Sequence, residues 1–101
     1  MATLERHVAT HPTPRPDVYA AIDSERDYQD TFVMPEREYY ATHTLGEFVL
    51  MLGQYAAQAR QSWTHHSDKE DGFPESLHEV RKIAAIAVRC MEQHGAPKRV
   101  A

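Results

Sequence analysis

The sequence predicts an all-α domain of three helices, and three observations carry that prediction. Apolar residues recur at three- and four-residue spacing in three separate stretches. Each stretch is bounded by capping residues, prolines or glycine. No stretch of strand length alternates apolar and polar residues. The expected layout is an extended arm over residues 1–16, a helical domain over 17–96 and a short tail over 97–101.

The arm carries Pro12, Pro14 and Pro16, whose fixed φ and missing amides force extended backbone. Pro16 also suits the first turn of a helix. The first helix is expected from Asp17 to Asp30, with Val18, Ala21, Ile22, Glu25, Gln29 and Phe32 on one stripe. Met34-Pro35 closes it, and a connector bearing Tyr39 and Tyr40 runs on to His43.

Thr44-Leu45-Gly46-Glu47 has the spacing of a capping box, in which hydroxyl and carboxylate each take the other residue's amide. The second helix is expected from Thr44 to Thr64, with Leu45, Phe48, Leu52, Tyr55, Ala59 and Trp63 facing the core. A polar loop follows through Gly72. Pro74 is expected to open the third helix, which Gly95 and Pro97 stop. Its core stripe is expected to be Leu77, Val80, Ala84, Ala87, Val88 and Met91. Ile83, Ile86 and Cys90 form a second apolar face that needs its own partner. Alanines 56, 57, 59, 84, 85 and 87 would let helices approach closely. A chain of 101 residues makes a small core. Its single cysteine rules out an internal disulfide, so homo-oligomerisation is the expected remedy.

Composition narrows the partners. A formal net charge of −4 argues against duplex nucleic acid as the main ligand. No apolar run approaches the roughly 20 residues of a membrane span. Together with the lone cysteine, this gives a cytoplasmic expectation. The seven histidines are scattered and match no zinc-binding spacing.

Several residues could carry chemistry. Glu25 interrupts an apolar stripe, where an unpaired carboxylate is costly; Arg81, bordering the third helix's stripe, is its natural partner. That pair is either structural or part of a pocket. Tyr28, Tyr39 and Tyr40 could stack on a planar ligand or simply pack. Lys82 and Arg89 share a face with Ala85. That face is either solvated or an edge that holds phosphate or carboxylate.

ERDYQD at 25–30, TLGEF at 44–48 and VRKIAAIAVRCMEQHG at 80–95 resemble the MazG-like all-α nucleotide pyrophosphohydrolases, and more closely small phage proteins grouped near them. The resemblance spans roughly residues 17–96. It implies magnesium held by carboxylates of an EExxE and an ExxD motif, onto which Glu47 and Glu79 carry over. Leu50 and Met51 stand where the first motif's next carboxylates are expected. Lys82 stands where the second has aspartate.

A lysine can meet a phosphate directly but lacks the metal's Lewis acidity. The resemblance with this departure implies a non-catalytic binder of a nucleotide-derived small molecule, requiring no cofactor. The implied ligand set is Glu25, Tyr28, Arg81, Lys82 and Arg89. In a phage setting such a protein would sequester a cyclic-nucleotide or ADP-ribose-type immune signal in the host cytoplasm. Two alternatives stay open: a divergent magnesium-dependent pyrophosphohydrolase using Glu25, Glu47 and Glu79, and a helical protein-interaction module.

Overall fold

The computed structural model describes residues 12–33, 42–65 and 69–100, the side chains of 32, 33 and 69–73 excepted. Within them the chain forms three α-helices: α1 (Arg15–Tyr28), α2 (Leu45–His65) and α3 (Lys69–His94). The all-α expectation holds. The arm before Pro12, the connector tyrosines Tyr39 and Tyr40, and the side chain of Phe32 lie outside the described residues.

α1 begins two residues earlier than its sequence suggests. Pro14 is the cap, its carbonyl accepting from the Asp17 and Val18 amides at 3.0 and 3.2 Å. Pro16 sits in the first turn, where its missing amide costs nothing. The helix does not stop at Asp30; it widens into a π-helical turn over Gln29–Val33. α2 starts as its capping box dictates. The Thr44 amide donates to Glu47 Oε1 at 2.8 Å and the Glu47 amide donates to Thr44 Oγ1 at 3.1 Å. α3 ends on Gly95, whose φ of +112° is open to glycine alone without strain and whose amide reaches the Met91 carbonyl at 2.8 Å.

Two expectations for α3 need correction. The helix starts at Lys69, so Pro74 lies inside it rather than at its opening. The proline there leaves one backbone acceptor of the first turn without its usual donor. More important, the expected core stripe is not the core. Leu77, Val80 and Met91 are 53%, 54% and 44% exposed, whereas Ala85, Ile86, Arg89 and Cys90 are buried. The second apolar face is the one that α2 covers. Phe48, with no exposed surface, seats against Ile86 and Cys90, and Met51, Leu52 and Tyr55 close around them. On α2, Leu45 is exposed, as are Ala56 and Ala57, which therefore serve no close helix approach.

α3 is the central element. α2 packs along it in the opposite direction, its Phe48 meeting Cys90 near the far end of α3. α1 also packs on α3, and among the described residues no backbone approach within 8 Å between Cα atoms joins α1 to α2. Among the described residues two ion pairs tie α1 to α3: Glu25 to Arg81 at 2.8 Å and Arg26 to Glu92 at 2.7 Å. Burial works against the Arg26 charge, but the hydrogen bonds and charges of Asp30 and Glu92 outweigh it and hold its pKa above the ordinary value.

Candidate functional site: a gap between two helices that share a third

Because the backbones of α1 and α2 flank α3 without close approach to each other, a gap remains between them. Lys82, Ile86 and Arg89 recur at four- and three-residue spacing, so they share one face of α3 and form its floor. Glu25, Tyr28 and Gln29 form one wall; Met51 and Tyr55 form the other. The cavity holds about 190 Å³. It adjoins a second, of about 500 Å³, lined by Ser24, Glu25, Tyr28, His78, Arg81 and Lys82. The two share Glu25, Tyr28 and Lys82.

All five residues singled out as ligand-binding in the sequence therefore line these adjoining cavities, in different states. Glu25 is 7% exposed, and Arg81 Nε donates to its Oε1 at 2.8 Å. The pairing inferred from a lone carboxylate on an apolar stripe is thus present. Arg81 Nη2 lies in addition against His78 Nδ1. Tyr28 leaves about half its surface open, which suits a stacking platform. Lys82 is one-third exposed and meets Glu79 Oε1 only at 3.4 Å, longer than a strong charge-assisted bond. It is held loosely.

Arg89 departs from expectation. It was placed on a face with Lys82 that is either solvated or anion-binding, yet it is 4% exposed, its guanidinium 5.6 Å from the centre of the Phe48 ring. Burial, and next the nearby Arg26 charge, push its pKa below the ordinary value. Arg89 joins the floor of the gap to the core beneath it.

The carboxylates offered as a metal set do not assemble. Glu47 closes the start of α2; the Thr44 amide, and next the Thr44 hydroxyl, hold its carboxyl below the usual range. Glu79 faces Lys82, and its second oxygen is buried with no hydrogen-bond partner among the described residues. Glu25 is taken by Arg81. Among the described residues no three histidine, cysteine or acidic side chains converge as metal ligands would. Magnesium, which wants near-octahedral oxygen ligation, does not fit this donor set.

Sequence reasoning missed Gln29 and Met51. Gln29 is buried and lines the gap at the point where α1 widens into its π turn, a distortion often found beside functional sites. Its place on the α1 stripe between Glu25 and Phe32 was the available signal. Met51 lies three residues after Phe48 and four before Tyr55, and that helical spacing was the available signal.

No helix among the described residues is long and apolar enough to cross a membrane. Comparison of the chain with protein-family models, curated proteins and solved structures finds no match.

Proposed function

We propose that the protein, as a homo-oligomer, binds a nucleotide-derived anion in the gap between α1 and α2 and does no chemistry on it. One observation carries this reading. Among the described residues, Arg81, Lys82 and Arg89 line the two cavities with Glu25 as the one lining carboxylate, Lys82 meeting Glu79 only at 3.4 Å, on a chain whose net charge is −4. A local excess of cations on an acidic protein favours an anionic ligand.

Tyr28 and Tyr55 stand in the walls of the same gap, so a ligand that carries both phosphate and an aromatic base matches its two kinds of surface. The larger cavity falls within the roughly 300–1,000 Å³ typical of small-molecule sites. Arg81 is already committed to Glu25, so Lys82 is the cation that meets the phosphate first. The resemblance to small phage proteins extends the reading to sequestration of an immune signal of the cyclic-nucleotide or ADP-ribose class.

The test is calorimetric titration with mononucleotides, cyclic dinucleotides and ADP-ribose, with and without magnesium. Lys82→Ala should weaken the best ligand by about ten- to a hundredfold, as loss of a desolvated charge-assisted contact does. Tyr28→Ala should lose a comparable amount through stacking. Both side chains are at least one-third exposed, so neither variant threatens the fold. If no nucleotide binds, or both variants bind like the parent, the gap is not a nucleotide site.

A further inference from the structure

The two cavities of the gap differ in what surrounds them. The larger is polar, with Ser24, His78, Arg81 and Lys82 around it. The smaller runs between Tyr28 of α1 and Met51 and Tyr55 of α2, over Ile86 of α3. Glu25 and Lys82 stand where the two adjoin, and the Arg89 guanidinium lies over the Phe48 ring. Among the apolar and aromatic surfaces of the smaller cavity stands the amide of Gln29, 9% exposed. A carboxamide buried so deeply is costly unless its hydrogen-bonding groups are used.

Among the described residues half of that amide is used. Arg26 Nη1 donates to Gln29 Oε1 at 3.4 Å. Arg26 cannot turn away, because its Nη1 also holds Asp30 at 2.9 Å while Nε and Nη2 hold Glu92 at 2.9 and 2.7 Å. A guanidinium carries donors and no acceptor. It therefore fixes which way the amide faces, with the oxygen toward Arg26 and the nitrogen away. Gln29 Nε2 has no hydrogen-bond partner among the described residues. The side-chain atoms there that are both sealed from solvent and unpartnered are Ser76 Oγ and Glu79 Oε2. The Gln29 nitrogen thus keeps open surface, and the space that Gln29 lines is the gap.

We infer that the smaller cavity takes the base of the ligand, and that Gln29 Nε2 donates a hydrogen bond to an acceptor on the edge of that base, a ring nitrogen or a carbonyl oxygen. This rests on the nucleotide reading of the gap and adds to it a residue that determines specificity. Tyr28 and Tyr55 offer aromatic surface to any planar ring. Gln29 asks more of that ring. The phosphate stays with Lys82 and Arg81 in the larger cavity, since charged donors bind an anion more strongly than a neutral amide does. An aromatic ring without an acceptor would fill the same space and leave the amide unpaired, which a site of this kind rejects. Arg26 lines neither cavity. It is a positioning residue that acts through Gln29.

Calorimetric titration with AMP, GMP and naphthyl phosphate tests this. Naphthyl phosphate joins a phosphate to a two-ring aromatic surface like that of a purine, with no acceptor on the ring edge. The parent should prefer the better of the two nucleotides. Gln29→Met, which nearly conserves volume, should weaken that nucleotide about tenfold and leave naphthyl phosphate unchanged. Gln29→Glu, which still meets Arg26 but turns an acceptor toward the gap, should weaken the nucleotide at least as much. Arg26→Gln should lower the ratio of nucleotide to naphthyl phosphate affinity by freeing the amide to turn. If that variant loses its helical circular dichroism, the two Gln29 variants carry the test.

Equal losses for both probes in Gln29→Met would make Gln29 a packing residue, and no loss for either would remove it from the site. Each result overturns this inference and leaves the nucleotide site standing. So does a parent that binds naphthyl phosphate as tightly as either nucleotide. A parent that binds neither nucleotide overturns the site itself, and this inference with it.

Discussion

Two stretches of α3 are built on opposite plans. Near its C-terminus, polar groups are spent on closing the structure over Phe48. His43 and His94 set their rings edge-on to Phe48 at 5.4 and 5.9 Å, and His94 Nε2 donates to the His43 carbonyl at 2.7 Å. The His43 amide donates to Gln93 Oε1 at 3.1 Å, and the capping box stands one turn away. Nearer the middle of α3, Arg81, Lys82 and His78 line an open cavity instead. The difference separates two arrangements: one end holds the hairpin shut, and the middle leaves charged side chains around open cavities, where we place the proposed ligand.

Substitutions should reveal that asymmetry in order of size. Phe48→Ala removes the largest fully buried side chain and should cost about 3–5 kcal/mol. Since small domains have only about 5–15 kcal/mol in total, its thermal transition should broaden or vanish, with circular dichroism as the readout. A cooperative transition near the parent's would show that Phe48 is not the keystone of that end.

Arg81→Ala comes next. It leaves the buried Glu25 without its partner, but Arg81 itself is about one-third exposed. The cost should be about 1–3 kcal/mol, less than the loss of one partner from a fully buried pair. Adding Glu25→Gln should recover part of it in a double-mutant cycle. Additive losses would mean that the ion pair contributes nothing to docking α1.

Thr44→Ala is the smallest, about 1 kcal/mol through the lost cap. Its partner Glu47 gives the same region a pH signature. A carboxyl whose pKa is lowered on folding stabilises fully above its unfolded value, about 4.3. That contribution is lost as pH falls through the lower folded value. The stability gap between the parent and Glu47→Gln should therefore be constant from pH 6 to 8 and shrink on acidification below about 4. Chemical denaturation across that range reads it directly, and a gap that widens in acid would refute the cap.

What the sequence disclosed follows the same division. Local chemistry was legible. The Thr44–Glu47 box and the Gly95 stop depend on a few neighbouring residues, and both occur as their spacing implies. The Glu25–Arg81 pair was legible too, since a carboxylate on an apolar stripe demands a cation nearby. The choice between the two apolar faces of α3 was not legible. Periodicity marks both equally, and only the seating of Phe48 between Ile86 and Cys90 decides which is inside. The burial of Arg89 was not legible for the same reason: it follows from which face α2 covers. The gap itself had no sequence signal, because it arises where α1 and α2 fail to meet. Pro74 misled through a sound preference, while the acidic Glu70 and Asp71 before it were the better mark of a first turn.

The central position of α3 also bears on how freely this chain can drift. Between Leu77 and Glu92 many residues answer to α2, to α1 or to the gap. A change that suits one neighbour has little chance of being silent to the others. α2 is less encumbered: among the described residues Gln54, Ala57, Gln58 and Gln61 are exposed along a polar surface. Descendants of this sequence should accumulate their differences there and hold α3 nearly still, so that lineages are told apart by the back of one helix while the next preserves what they share.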